Sequence, residues 1–226
     1  MAEIRPIAYM HSDFPEKFGI PRQAGIVREL ESLVVFEPEY RDVEALRGIE
    51  GFSHLWLIWQ FSAAVTERFS PTVRPPRLGG NVRMGVFATR SPFRPNSLGL
   101  SCVELKEVQT RPGLGTVLVV QGADLMDGTP IFDIKPYIPY ADCHPEASGG
   151  FAPDAGATLK VEIPAALLEK IPADKRAALR GVLANDPRPR YQQDAARIYA
   201  MDFANLTLRF CVEGDTLHVR EIENRQ

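Results

Sequence analysis

Thr116-Val117-Leu118-Val119-Val120 is the clearest strand in this chain: four of its five residues are β-branched, and Gly113, Gly115 and Gly122 flank it. His54-Leu55-Trp56-Leu57-Ile58-Trp59-Gln60-Phe61 is a second apolar run of strand length and reads as a buried strand. Upstream, residues 4–11 and 24–36 carry β-branched and apolar runs, including Gly25-Ile26-Val27 and Leu33-Val34-Val35-Phe36. These predict early strands separated by the polar loop His11 to Gln23. Asp42 to Ile49 predicts one short helix with Asp42 as its N-cap. Leu98 to Val108 alternates Val103 and Leu105 with Glu104 and Lys106, and Ile131-Phe132-Asp133-Ile134 predicts a further short strand. Pro71 to Gly80 reads as a proline-arginine loop outside regular structure. The strand–loop–strand rhythm makes the main domain mostly β, a barrel or a sandwich.

After Tyr140 the texture changes. Residues 141–156 are rich in Ala, Gly, Pro and Asp and read as a linker. Beyond them come a strand-like Leu159-Lys160-Val161-Glu162-Ile163, a helix near Ala173 to Ala184, and a closing hairpin. The hairpin joins Leu206–Phe210 to Thr216–Val219 through Glu213-Gly214-Asp215. The expected division is a domain at 1–145 and a small α+β domain at 157–226.

Composition narrows the function classes. The 226 residues are 45% hydrophobic and 24% charged, ordinary for a globular chain of one or two domains. Glycine and proline together make 36 residues, which argues against a long-helix bundle. No apolar stretch approaches the ~20 residues of a membrane span, and Met1-Ala2-Glu3-Ile4-Arg5-Pro6 lacks a signal-peptide core. A cytoplasmic protein without a membrane partner is expected. Cys102, Cys143 and Cys211 are odd in number and widely spaced, which excludes a disulfide scaffold and a zinc ribbon; no metal is expected. Formal net charge is -3, yet the cations comprise 20 Arg and only 6 Lys. Between Arg68 and Val103 the chain carries six arginines (Arg68, Arg74, Arg77, Arg83, Arg90, Arg94) and no acid, so this block is +6 and the remainder -9. Arginine suits bidentate recognition of phosphate and carboxylate and stacking on bases. The block is either an anion or nucleic-acid site, held on loops by interleaved Pro and Gly, or a solvated face paired with acids from elsewhere.

The common cofactor signatures are missing: there is no Gly-x-Gly-x-x-Gly at a strand-to-helix turn, no Walker-type loop, no His-Glu-x-x-His and no serine-hydrolase elbow. The four histidines are scattered, and His54 reads as a satisfied core residue beside an apolar run. Three loops stand out instead. They are Pro21-Arg22-Gln23; Arg74 to Asn81 continuing to Ala88-Thr89-Arg90-Ser91-Pro92-Phe93-Arg94-Pro95-Asn96; and Asp124 to Pro130 with Asp133-Ile134-Lys135-Pro136-Tyr137 behind it. Each pairs shape-fixing Gly or Pro with side chains that bind polar ligands.

These motifs, together with Phe18 to Gln23, Gly51-Phe52-Ser53-His54-Leu55-Trp56 and Asp186-Pro187-Arg188-Pro189 with Tyr191, resemble the TsaA-like, or TrmO (YaeB-type), tRNA methyltransferases over nearly the full length. The resemblance implies a β-barrel N-terminal catalytic domain and a small α+β C-terminal domain that helps grip tRNA. It implies a homodimer that uses S-adenosyl-L-methionine to methylate the exocyclic nitrogen of threonylcarbamoyladenosine, beside the anticodon loop of threonine tRNA. By motif position the cofactor contacts are Arg22, Gln23, Ser62, Ala63, Arg90, Leu100, Asp127, Gly128, Thr129, Pro130 and Ile131. Members of the family carry a polar His-Gln-like pair where this chain has Ser62-Ala63, so only backbone contacts carry over there. Arg22 or Arg90 suits the cofactor carboxylate, and Asp127 or a loop carbonyl its ammonium. The proton acceptor is Asp127, Asp133 or water. Arg74, Arg77, Arg94, Asn96, Arg188 and Tyr191 are the tRNA candidates, with Arg94 or Arg77 for the threonyl carboxylate. The structural alternatives are ion pairs for Arg22 and Arg90, a turn cap for Asp127 and a core position for Tyr191. A non-catalytic tRNA- or nucleotide-binding protein is the competing class, with salt-sensitive RNA binding and no response to the cofactor.

Overall fold

The computed structural model describes residues 3–65, 68–189 and 194–225. Its strands, in chain order, are β1 (Ala8–His11), β2 (Glu31–Phe36), β3 (His54–Gln60), the two-residue β4 (Thr72–Val73) and β5 (Met84–Gly85), β6 (Leu98–Arg111), β7 (Gly115–Gln121), β8 (Pro130–Pro136), β9 (Lys160–Glu162), β10 (Tyr199–Phe203), β11 (Leu206–Glu213) and β12 (Thr216–Asn224). Three α-helices, α1 (Pro139–Asp142), α2 (Ala165–Leu168) and α3 (Arg176–Ala184), complete the described regular structure with short 3-10 turns. The mainly-β expectation therefore holds.

Six strands hydrogen-bond in a closed ring of order β1-β2-β7-β6-β3-β8. Every neighbouring pair in it is antiparallel. Alternation on β3 sends Leu55, Leu57 and Trp59 inward, where they meet Leu118 and Val120 of β7 and Val103 of β6 in one core. Val117 and Val119, on the opposite face of β7, are buried as well, which accounts for the unbroken apolar run there. Gly99 sits directly across from Trp59, and the indole fills the space that a side chain at 99 would need. A Cβ at Gly99 would lie 2.4 Å from Trp59 Cε2.

Several local predictions need correction. Gly25-Ile26-Val27 is not a strand; Val27 instead buries itself in a second core. The first strand spans only Ala8–His11. Asp42 does cap, accepting the Glu44 N–H at 3.0 Å, but it caps a 3-10 turn over Val43–Leu46, and a separate turn covers Ile49–Gly51. The proline-arginine loop contains β4 and a 3-10 turn at Pro76–Leu78. The helix expected near 173–184 is a 3-10 turn running into α3.

The C-terminal sheet has the order β10-β11-β12-β9, with β9 parallel to β12. Its core takes Phe203, Phe210, Leu179 and Leu183, and also Phe14, Val27 and Leu30 from the β1–β2 connection. Full burial of a side chain such as Phe14 contributes ~1.5–3 kcal/mol. Lys175 Nζ reaches Asp13 Oδ2 at 2.6 Å, and the Ala204 N–H donates to the Asp13 carbonyl at 2.7 Å. Gly19, at φ +97, passes so close to Met201 that a Cβ would meet its sulfur at 2.4 Å. The connection from β1 to β2 is therefore clamped between ring and sheet.

Replacement of Gly99 by Ala must push the Trp59 indole out of its place. The expected loss is about 1–3 kcal/mol, the usual cost of overpacking, read as a lower urea midpoint. An unchanged midpoint would mean that the indole has room to move.

Candidate functional site

The register of the ring decides where the motif loops go. Glu31 of β2 pairs with Gln121 of β7, Gln60 of β3 with Leu98 of β6, and Tyr9 of β1 with Pro130 of β8. The connections 12–30, 61–97 and 122–129 therefore all emerge at one end of the ring, and these hold the three loops singled out by sequence. They are tied to each other. Gly25 N–H donates to the Gly122 carbonyl at 2.8 Å, Asp127 N–H to the Phe14 carbonyl at 2.8 Å, and Lys17 Nζ to the Ala63 carbonyl. At Gly122 φ is +74, and a Cβ would lie 3.2 Å from the Gly25 Cα, a tight contact in a backbone conformation that favours glycine.

A polar chain runs from the ring core to this mouth. Trp59 Nε1–H donates to Ser101 Oγ at 2.9 Å, and the Ser101 hydroxyl donates to Asp124 Oδ1 at 2.5 Å. Asp124 also accepts the backbone N–H of Ala24, and the positive charge of Arg90 acts on it more weakly. Arg90 Nη1 in turn donates to Gln23 Oε1, and Gln23 Nε2 to the Arg22 carbonyl. Burial pushes the Asp124 carboxyl above the usual carboxylate range; Ser101, the backbone N–H groups and Arg90 act against that rise. Neither Asp124 nor Ser101 was among the site residues expected from sequence. One signal was available: Ser101 shares the inward face of β6 with Gly99 and Val103, and a polar residue at an inward position needs a partner.

Of the expected cofactor residues, Gln23 and Arg90 touch. Arg22, exposed beside them, donates from Nη2 to the Arg188 carbonyl at 3.0 Å, which joins this loop to the C-terminal half. Ser62 and Ala63 lie exposed in a 3-10 turn at the same end. Asp127 is exposed there and accepts the Ser12 N–H at 3.1 Å, a bond that ties its loop to the 12–30 connection. Gly128, at φ +72, donates its N–H to the Met10 carbonyl at 2.8 Å. Thr129, Pro130 and Ile131 are buried, Ile131 within the ring core. Leu100 stands on the outer face of β6 opposite Ile58, one step from the inward Ser101.

The remaining candidates are dispersed. Asp133 lies on the outer face of β8, caps the Ile134 N–H at 2.9 Å and pairs with Lys135 at 3.0 Å. Arg77 pairs with Asp154 at 2.8 Å, and Arg94 donates to the carbonyls of Thr89 (2.7 Å), Val86 and Ser91, closing its own loop. Arg74 and Asn96 are exposed. The Arg188 side chain is only 11% exposed and grips Asp186 with two bonds of 2.8 and 3.0 Å. Tyr191 lies outside the described residues. Two further features flank the mouth. The 61–97 connection exposes Phe69, Phe87 and Phe93, with Phe69 and Phe87 stacked at 6.4 Å. A cleft at the seam with the C-terminal sheet is lined by Phe18, Pro189, Arg197 and Tyr199, with Arg197 over the Tyr199 ring at 5.2 Å. Among the described residues no cluster of His, Cys, Asp and Glu has the makings of a metal site, and no helix is long and apolar enough to cross a membrane.

Comparison with known proteins gives this geometry a family. Residues 9–143 match the tRNA-methyltransferase O N-terminal domain and residues 156–225 the TrmO C-terminal domain. The chain is 41% identical over 232 residues to the tRNA (adenine(37)-N6)-methyltransferase of Escherichia coli (strain K12), across 99% of this chain and 98% of that protein. It is 40% identical over 197 residues to a putative S-adenosylmethionine-dependent methyltransferase, RcsF, of Pseudomonas aeruginosa, covering 84% and 83% of the two chains. The crystal structure of TrmO from Pseudomonas aeruginosa aligns with a TM-score of 0.81 at 30% identity over 99% of both chains. Both halves of the chain match in their own places, and the full length aligns in sequence and in structure: the protein belongs to the TrmO family.

Proposed function

We propose that this protein is an S-adenosylmethionine-dependent tRNA methyltransferase that acts on the exocyclic N6 of adenine 37, with threonylcarbamoyladenosine in threonine tRNA as its substrate. The observation that carries the reading is the hydrogen bond between Arg90 and Gln23, from two separate loops, at the end of the ring where Asp124 and Asp127 of a third loop also lie, in a chain of this family. On this reading the ring is a β-barrel catalytic domain within residues 1–145, and residues 157–226 form the domain that assists tRNA binding. The cofactor supplies an electrophilic methyl group on a sulfonium, and the protein must align it with the target nitrogen.

The donor set at the mouth fits that cofactor. Its carboxylate suits the guanidinium of Arg22 or Arg90, and its ammonium suits a carboxylate or loop carbonyl of the 122–129 connection. Backbone at Ala63 and Gly128 lies at the same end and is not barred by side-chain identity. The target nitrogen is acylated and a poor nucleophile, so its proton has to leave. Asp127, exposed at the mouth, is the protein group proposed to take it, with water the alternative; Asp133 lies on the outer face of β8 and is bonded to Lys135. Arg74 and Asn96, exposed in the arginine-rich connection, are the proposed RNA contacts there, and Arg197 over Tyr199 is a further cation at the seam. The exposed Phe69, Phe87 and Phe93 support the homodimer that the family resemblance implies, as an apolar patch beside the site. A cytoplasmic location follows from a tRNA substrate.

At about one hundred times its Kd the cofactor stabilises a protein by ~2.7 kcal/mol. For a chain of this size that is a rise in Tm of roughly 5–10 °C. Arg90→Ala is expected to remove most of the rise; no rise in the wild type at saturating S-adenosylmethionine would replace the enzyme by a non-catalytic RNA-binding protein. Labelled methyl groups are expected to enter threonine tRNA only when the threonylcarbamoyl group is already present. Equal incorporation into tRNA without that group would reassign the substrate to unmodified adenine.

A further inference from the structure

We infer that the cleft at the seam with the C-terminal sheet is a subsite for one unstacked RNA base, a neighbour of the target adenine, which stacks on the guanidinium of Arg197. This rests on the tRNA reading above and gives an occupant to a cleft that neither the motif comparison nor the family match assigns.

The floor of the cleft is rigid. Tyr199 of β10 pairs across the strands with Phe210 of β11, and their rings stack at 5.6 Å and 21°. Phe18, from the 12–30 connection, stacks on the same Phe210 at 6.5 Å and 11°. Phe210 and Tyr199 are both buried, so these rings have little freedom to move. Arg197 is exposed and holds its guanidinium carbon 5.2 Å above the Tyr199 ring. Ile198 beside it leaves a large apolar side chain in water at the rim.

Arg197 differs from the other cations of this half. Among the described residues there, Arg188, Arg209, Arg220 and Arg225 pair with acids, and Arg176 and Arg180 donate to backbone carbonyls. Asp194, the acid nearest in sequence, has its carboxylate on the Ala196 N–H at 3.0 Å. The Arg197 guanidinium meets the Tyr199 ring and, among the described residues, no acid or carbonyl. A planar cation fixed from below by an aromatic ring keeps its upper face open, and less entropy is lost when a base stacks on it.

The cleft is about 310 Å³, at the lower end of small-ligand sites and of a size for one base rather than a long segment. It adjoins the mouth on both sides of the seam. Phe18 follows Lys17, whose Nζ bonds the Ala63 carbonyl, and stands four residues before Arg22. Arg22 Nη2 donates to the carbonyls of Asp186 at 3.5 Å and Arg188 at 3.0 Å, and Pro189, the next residue, lines the cleft. An enzyme that works on a base takes it out of the stack, which also exposes a face of the neighbouring base. The Arg197 platform gives that face a surface in place of the one it loses.

The test is binding of a synthetic anticodon stem-loop of threonine tRNA, carrying the threonylcarbamoyl group, to the full-length protein and to Arg197→Ala and Arg197→Lys. Binding is read by fluorescence anisotropy without cofactor. Arg197→Ala is expected to weaken it about tenfold. The slope of log affinity against log salt is expected to stay the same, because a stacked guanidinium neutralises no phosphate. Arg197→Lys keeps the charge but loses the plane, and is expected to remain at least about fivefold weaker than the wild type. Removal of the base on one side of the target adenine is expected to cost the wild type about tenfold and Arg197→Ala less than about twofold. The apo Tm and its rise with S-adenosylmethionine are expected to be the same in all three proteins. Full recovery in Arg197→Lys, or a slope reduced by about 0.7, makes Arg197 a phosphate contact and overturns the base subsite. Loss of the cofactor-induced rise gives the cleft to the adenine of the cofactor instead, and wild-type RNA affinity in Arg197→Ala leaves Arg197 as a cover for Tyr199; either overturns the subsite alone. A wild type that does not bind the stem-loop overturns both the subsite and the tRNA reading. A wild type that binds it with the expected Arg197 effects, but does not respond to the cofactor, supports the subsite and overturns the methyltransferase.

Discussion

In a ring of antiparallel strands each connection returns the chain to the opposite end from the one before, so successive loops alternate between the two mouths. Here the sequence 12–30, 37–53, 61–97, 112–114, 122–129 obeys that alternation, and the first, third and fifth connections share a mouth. All the polar loops with ligand-binding character lie on those three, while the opposite mouth receives a three-residue hairpin turn and short 3-10 turns. The chemistry of the site is thus a consequence of strand parity. An insertion or loss of one strand would scatter Gln23, Arg90 and Asp124 to different ends.

Closure alone does not orient side chains, and the Trp59–Gly99 contact supplies what it lacks. The indole lies flat across the glycine on the neighbouring strand, which aims its N–H along β6 to Ser101 and so fixes the proton that Ser101 offers to Asp124. A core packing decision at position 99 is read out as hydrogen-bond polarity at the mouth. The raised pKa of Asp124 belongs to the same arrangement: the packing that lines up the relay also removes water from the carboxylate.

Much of the fold was legible because β3, β6 and β7 carry the period-two or continuous apolar patterns of buried strands. Ile26 and Val27 misled because an apolar pair of β-branched residues looks the same whether it pairs in a sheet or plugs a neighbouring core, and Val27 plugs. The arginine block was legible as a charge anomaly, but not the fate of each guanidinium. Arg94 and Arg77 lie among the same proline-rich residues as the exposed Arg74 and Arg90, yet backbone carbonyls and Asp154 hold them. Those partners are set by loop closure and by a segment 77 residues away, neither of which is visible in local spacing. Asp124 escaped notice for a related reason: an aspartate four residues before Gly128 reads as turn chemistry, and only the approach of Ser101 and Ala24 takes it out of water.

The connection from β1 to β2 contributes to both halves of the molecule, with Phe14, Val27 and Leu30 in the core of the C-terminal sheet and Gln23 at the mouth of the ring. Division of the chain within 141–156 would follow the covalent boundary but not the physical one. A ring released from its partner sheet would present three large apolar side chains to water and lose the Arg22 tether to Arg188. The two halves therefore share a core, and a shift of the C-terminal sheet would carry the 12–30 connection, and with it Gln23 at the mouth, along.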